Sequence, residues 1–267
     1  MGFLTLFYCK NRQIFKAVFL FNYLLPIIKF NDTGTLINWQ LDDINIVEPL
    51  HSKEGGGSRG GVYLCIPNFE ELSPPFSIKH GEYRTTACDI TLPHAKNLSA
   101  PAKYNWGSVE VITDWEEIDE QNSKTLKVTV TIRALSDTAW IRPGFHPYFS
   151  VTQNSFIEIG STRVDIASLT HDSMQRYNTA SLSEEVKLTT DKYTASMNCK
   201  LSPITENHAV VFAIWSDKKH EYVCIEPVIG SQLGQDGLPT PLTLVNNEEL
   251  VMEFTIIATR AGFVDPS

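Results

Sequence analysis

Between Lys124 and Leu135 the chain alternates strictly: Leu126, Val128, Val130 and Ile132 are apolar, and Lys127, Thr129, Thr131 and Arg133 between them are polar. A period of two sends successive side chains to opposite faces of an extended backbone, so this segment predicts a strand with one dry and one wet face. Further β-rich runs occur at 107–113, 155–160, 209–215, 221–226 and 251–258, separated by turn formers such as Ser136-Asp137, Asp236-Gly237 and Asn246-Asn247. No stretch carries a capped helical stripe longer than a turn or two. Many short strands with polar connections predict an all-β protein built as a large antiparallel β-sandwich with few short helices.

Hydrophobic residues make up 42% of the 267 and charged residues 20%, enough to bury a sizeable core. No linker-like stretch or fixed repeat divides the chain. The expectation is one domain over residues 27–267, preceded by a segment, 1–26, of unsettled order. The uncharged run Ala17 to Ile28 is too short to span a bilayer, and Asn22 and Pro26 interrupt it. Buried strands are the expected reading there, rather than an export signal or a membrane anchor.

A formal net charge of −9, from 31 acidic and 22 basic residues, repels phosphate backbones and argues against a nucleic-acid partner. The five cysteines, Cys9, Cys65, Cys88, Cys199 and Cys224, are dispersed without a CxxC pair. Their spacing suggests neither a disulfide framework nor a zinc site, and it fits a reducing, cytoplasmic setting. Gly55-Gly56-Gly57-Ser58-Arg59-Gly60 satisfies GxGxxG literally, but Gly61 to Pro67 after it reads as a strand, where a dinucleotide fingerprint needs a helix.

Two segments stand out: Arg142-Pro143-Gly144-Phe145-His146-Pro147-Tyr148-Phe149 and Tyr222-Val223-Cys224-Ile225-Glu226-Pro227. Each sets an ionisable residue directly before a proline, which bars its predecessor from the helical region and holds it extended. Alternation then places Gly144, His146 and Tyr148 on one face, opposite Phe145 and Phe149. Cys224 and Glu226 likewise share a face opposite Val223 and Ile225. A His-Pro before aromatics is more often a packed turn than a catalyst, and a glutamate at a strand end is usually a surface charge. Against that stands the tendency of buried ionisable groups to cluster at functional sites. No GxSxG elbow, HExxH helix or metal-spaced His/Asp/Glu set competes.

These segments, HPYF followed by CIEP, resemble the paired signature of the aldose 1-epimerase (galactose mutarotase) superfamily. Arg59-Gly60-Gly61 resembles its RGG segment and His80-Gly81-Glu82-Tyr83-Arg84 its HGxxR segment, both typical of the branch that includes hexose-6-phosphate mutarotases. With Gly34-Thr35-Leu36-Ile37-Asn38-Trp39, the likeness runs over residues 27–260. The resemblance implies a sugar cleft on one sheet and interconversion of the α and β anomers of an aldose. Glu226 would be the base at the anomeric hydroxyl and His146 the acid at the ring oxygen, a task suited to a group titrating near neutrality.

By the same resemblance, His80 would support the sugar oxygens, and Arg59 and Arg84 would hold a phosphate, for which the guanidinium fork is shaped. No cofactor or metal is implied. The partner would be a small sugar or sugar phosphate, with no nucleic acid and no membrane, and the protein a monomer or weak homodimer. The alternative is a catalytically silent carbohydrate-binding β-sandwich protein. The chain departs from the family pattern at Glu82-Tyr83, Val228, Glu184-Glu185 and Asn68-Phe69-Glu70, around substrate recognition rather than at the acid–base pair. His51, His94, His171, His208 and His220 read as structural or solvated, and Trp106 and Trp115 as core.

Overall fold

The alternating segment forms the strand Ser123–Ala134, in which Leu126, Val128, Val130, Ile132 and Ala134 are buried and the residues between them are not. The computed structural model describes residues 29–31, 33–52, 58–70, 78–85, 98–104, 107–171, 173–178, 184–203, 208–217 and 219–262. The segment 1–26, Gly55 to Gly57, His94 and Trp106 lie outside the described residues. Strands also form over each of the other expected runs: Gly107–Glu120, Phe156–Ile159, Ala209–Ser216, Tyr222–Gly230 and Glu249–Arg260. Among the described residues the helical elements are two single 3₁₀ turns, Tyr83–Thr85 and Ile166–Ser168.

Two eight-stranded antiparallel sheets carry the fold. One runs in the order Lys29–Phe30, Leu36–Leu41, Ile44–Val47, Gly144–Ser150, Tyr222–Gly230, Ala209–Ser216, Gln175–Asn178, with Val62–Cys65 paired to both Gly144–Ser150 and Leu36–Leu41. The other runs Thr162–Asp165, Phe156–Ile159, Val186–Thr189, Tyr193–Ser202, Glu249–Arg260, Ser123–Ala134, Gly107–Glu120, Leu98–Tyr104. Their facing side chains share one hydrophobic core. At its centre Phe145 of the first sheet stacks on Phe254 of the second, with ring centroids 4.5 Å apart and planes 8° from parallel. Polar ties reinforce the edges: the Tyr193 hydroxyl reaches the Ser150 carbonyl at 2.7 Å, and the Trp39 indole donates to Glu117 at 3.3 Å.

The first sheet is dry on its other face as well. All nine residues of Tyr222–Gly230 are buried, and so are Gly144 to Phe149. Phe145, Phe149, Val223, Ile225 and Ile229 point into the sandwich. Tyr148, Tyr222, Cys224 and Val228 form a second cluster on the outer face with Tyr63, Cys65, Phe69, Val211, Ala213 and Leu238. That outer face is covered by the chain at 66–70 and by the turn around Leu238.

The glycine-rich entry behaves as a loop into a strand. Gly60 and Gly61 take φ of +86° and +77° and lead straight into Val62–Cys65. A Cβ on Gly60 would stand 2.3 Å from the Pro49 carbonyl oxygen and one on Gly61 2.5 Å from that of Leu36, so only glycine fits. No helix opens there to receive a pyrophosphate. Trp115 is buried in the shared core, edge-on to Phe30 at 5.1 Å, as expected for a packing residue.

The Phe145–Phe254 stack joins the two sheets where neither side chain reaches water. Phe254→Ala is expected to lower unfolding stability by about 3–5 kcal/mol through lost burial and a residual cavity, read as a shift of the urea midpoint. A loss under about 1 kcal/mol, the range of an ordinary surface change, would contradict that role for the stack.

Candidate active site

The pairing of Gly144–Ser150 with Tyr222–Gly230 sets the site. Gly144 lies opposite Val228 and Tyr148 opposite Cys224. The antiparallel register between these two pairs sets His146 opposite Glu226 across the strands. Cross-strand neighbours on one face bring their side chains within contact range. The His146 Nε2 is 3.4 Å from Glu226 Oε1, with the side chains 5% and 1% exposed.

The imidazole is clamped. Tyr63, which pairs with His146 on the adjoining strand, stacks on one side with a centroid separation of 4.5 Å. Tyr148, two residues along the same strand, stacks at 4.7 Å and 13°. His80 stands edge-on at 5.2 Å and 86°. This leaves the ring little freedom and directs Nε2 at the carboxylate. His146 Nδ1 and Glu226 Oε2 are both buried without a hydrogen-bond partner among the described residues. Unsatisfied buried polar atoms are costly, and two of them on facing residues mark a place prepared for a polar visitor.

Electrostatics favours the neutral forms. Burial, followed by the neighbouring His80 and the cationic Arg84 and Arg59, holds His146 well below the usual histidine range. Burial, followed by Glu70, pushes Glu226 well above the usual carboxylate range, while the Cys224 thiol pulls the other way as a hydrogen-bond donor to it. Burial thus acts on both members in the same sense, towards the neutral imidazole and the protonated carboxyl. His80 is held down to about 3 by burial and by Lys79, Arg84 and Arg59, so it too is neutral. Its Nδ1 accepts the Glu70 backbone N–H at 3.4 Å, which leaves the ring hydrogen on Nε2. Positive φ at His80 (62°) and Gly81 (70°) turns the backbone sharply there, and a Cβ on Gly81 would meet the Ile66 carbonyl oxygen at 2.1 Å.

Arg84 and Arg59 end a chain of tyrosines beside the pair. Arg84 Nη1 donates to the Tyr63 hydroxyl at 3.4 Å with its guanidinium 5.4 Å from that ring's centre. The Tyr63 and Tyr148 rings lie side by side with centroids 6.2 Å apart, and Arg59 lies 5.4 Å over Trp215, with its charge felt by Tyr148 and Tyr222. All five residues singled out in the sequence thus gather on the outer face of the first sheet.

Four further residues complete the arrangement. Tyr63 and Tyr148 clamp the histidine, and Cys224 lies beside Glu226. Arg142, 2% exposed, donates through Nε and Nη2 to the Phe69 carbonyl at 3.2 and 2.7 Å and through Nη1 to that of Pro239 at 3.4 Å. Asp236 supports it from 3.6 Å. Arg142 therefore pins the cover, with Phe69 5.2 Å from His80 and tight against Gly144, where a Cβ would come within 2.8 Å. The position of Arg142 just before Pro143-Gly144 was the visible signal for it. Nothing in the local sequence marked Tyr63.

A cavity of about 550 Å³ opens elsewhere, at the strand ends near Ser150, Thr190 and Arg260. It shares no lining residue with this cluster, and its Arg260 is already engaged by Asp42 at 3.0 Å. The buried, unsatisfied histidine–glutamate pair is the stronger chemical candidate, because its groups converge and their protonation is displaced.

No protein-family model matches the sequence, and no curated protein matches it. Solved structures do match the fold, and aldose 1-epimerase or galactose mutarotase-like proteins are among them. A galactose mutarotase-like protein from Lactobacillus casei is 14% identical, with 85% of this chain and 94% of that chain covered at a TM-score of 0.62. An Escherichia coli K12 protein provisionally assigned as an aldose 1-epimerase is 13% identical over 86% of this chain and 94% of its own, at 0.59. The Slr1438 protein of Synechocystis sp. PCC 6803 is 14% identical over 85% and 89%, at 0.61. At such identities the likeness is one of fold: a mutarotase-like β-sandwich. No helix among the described residues is long and apolar enough to cross a membrane.

The raised pKa of Glu226 has a stability consequence of definite sign. A carboxyl whose folded value lies above its ordinary 4.5 stabilises the fold fully below 4.5, and that contribution is lost as pH rises towards the folded value. Glu226→Gln has no charge to expose, so its stability relative to the wild type should climb steadily from pH 4.5 to neutrality in urea titrations. A difference independent of pH would show that the carboxyl is not held protonated.

Proposed function

We propose that the protein is a mutarotase that interconverts the α and β anomers of an aldohexose or hexose 6-phosphate, with His146 and Glu226 as its acid–base pair. The observation that carries this reading is the 3.4 Å approach of His146 Nε2 to Glu226 Oε1 on a buried sheet face, with a polar atom of each left unpaired. The anomeric hydroxyl and ring oxygen of an aldose are bonded to one carbon, so they stand closer together than these two side-chain atoms. One pair can therefore reach both.

The proton count closes on itself. With a proton on His146 and Glu226 ionised, the carboxylate takes the anomeric hydroxyl's proton as His146 gives its own to the ring oxygen. The bond between C1 and the ring oxygen breaks and an aldehyde forms. The pair is left as neutral His146 and protonated Glu226, the form that burial favours. After rotation about the C1–C2 bond, His146 takes the proton back from the ring hydroxyl and Glu226 returns one to the aldehyde oxygen. Ring closure on the other face thus restores the starting state without solvent. A sugar hydroxyl donating to the vacant Glu226 Oε2 favours the carboxylate, readying the first step. His80, neutral with its hydrogen on Nε2, is a donor for a sugar oxygen, and stacking by Tyr63 and Tyr148 keeps His146 aimed.

Arg59 and Arg84 support the phosphorylated substrate. Both are cations beside the pair in a protein of net charge −9, each lying over an aromatic ring. Glu70 near His80 and Glu82 beside Tyr83 set negative charge nearby, so the sugar's phosphorylation is decided by the arginines' reach. A catalytically silent sugar-binding protein is the second reading. Its support is the direct contact between His146 Nε2 and Glu226 Oε1, which holds these two atoms to each other rather than to a sugar.

Anomer exchange followed by NMR on freshly dissolved α-glucose, α-galactose and glucose 6-phosphate separates the two readings. Glu226→Gln and His146→Asn are each expected to slow the catalysed exchange by about 10²–10⁴-fold, the contribution of a positioned acid or base. Wild-type exchange no faster than buffer would favour the silent protein. Arg59→Ala and Arg84→Ala should each raise KM for the 6-phosphate by about tenfold or more, the worth of a charge-assisted hydrogen bond, and leave free glucose almost unchanged. Equal effects on both sugars would remove the phosphate preference.

A further inference from the structure

Cys224 has no part in the proton transfers, yet it is fully buried two residues from Glu226 on the same strand face. The strand register sets it opposite Tyr148, one same-face position along from His146 and Glu226. The His146 ring nitrogen, the Cys224 Sγ and a Glu226 carboxylate oxygen all lie within 4.8 Å of one another. We propose that His146, Cys224 and Glu226 form a binding site for a thiophilic divalent cation such as zinc, and that the bound ion shuts down the acid–base pair.

The donor set, the geometry and the charge support it together. Imidazole, thiolate and carboxylate in a three-plus-one arrangement suit zinc, with the fourth position left to water. Nitrogen and oxygen ligands at zinc bond lengths and the tetrahedral angle stand about 3.4 Å apart. The His146 Nε2 and Glu226 Oε1 are already 3.4 Å apart, so the ion needs little movement of either. Binding displaces one proton from the Cys224 thiol and one from the Glu226 carboxyl, both to solvent. The dication with thiolate, carboxylate and neutral imidazole then sums to zero charge, the state a buried site tolerates best. Glu226 Oε2, buried and unpartnered, is a further ligand atom within the same group. No spacing rule would reveal this set, because His146 comes from a strand 78 residues before Cys224 in the chain.

Only the inhibitory half rests on the mutarotase reading; the binding half stands alone. The test is titration of the full-length protein with Co²⁺, whose bond to a thiolate gives a near-ultraviolet charge-transfer band, and with Zn²⁺ in competition. One equivalent should generate the band and Zn²⁺ should abolish it. Cys224→Ser should lose the band, whereas Cys65→Ser should keep it. If Cys224→Ser does not fold, Glu226→Gln, with its thiol intact, should bind at least about tenfold more weakly, since one of three ligands is gone. No band, or a band that survives Cys224→Ser, overturns the site. Zn²⁺ should also slow anomer exchange in proportion to occupancy, and a chelator should restore it. Full exchange on a metal-loaded protein overturns the inhibition. A wild type without exchange defeats the mutarotase reading and leaves the band to judge the site.

Discussion

The register between Gly144–Ser150 and Tyr222–Gly230 is the constraint on which the rest depends. Each strand carries two kinds of face, and the pairing matches them: phenylalanine and branched aliphatics towards the second sheet, histidine, glutamate, cysteine and tyrosine away from it. A slip of one residue would turn Phe145 or Ile225 outward and drive His146 or Glu226 into the sandwich core. That core contains the Phe145–Phe254 stack and no room for an unpaired charge. The cost of any other register is what makes the meeting of His146 and Glu226 reliable.

Holding that pair dry has its own cost, and the surroundings are arranged to carry it. Burial pushes both residues towards their neutral forms, which is how a dry site avoids an isolated charge. The two tyrosine rings replace water on adjoining sides of the imidazole, and the Tyr63 hydroxyl accepts from Arg84 at its outer edge. Arg142 fastens the cover through three carbonyl contacts while making none with the pair itself. The groups placed for chemistry and the group placed for rigidity are thus distinct residues of adjacent segments.

The same enclosure underlies both proposals made for the cluster. A histidine and a glutamate close enough to pass a proton are also at the separation of two ligands on a tetrahedral ion, and Cys224 adds a third donor. Proton transfer needs the pair free, whereas a bound cation occupies both members.

The β architecture was legible in the chain because it depends on local period: Leu126 to Ile132 alternate, and an alternating strand needs a second layer to cover its dry face. The pre-proline residues His146 and Glu226 were likewise visible, since a proline restrains its neighbour whatever surrounds it. Their separation, their displaced protonation and the neutrality of His80 were not. Nor were the tyrosine clamp, the bracing by Arg142 and the recruitment of Cys224. Those follow from strand order and from the cover laid over the first sheet, which bring together residues between 63 and 239. Desolvation and cross-strand distance are properties of that assembly, and no stretch of sequence contains them. The sequence by itself determined which residues face the same way; tertiary structure decided which of them meet, and how dry the meeting is.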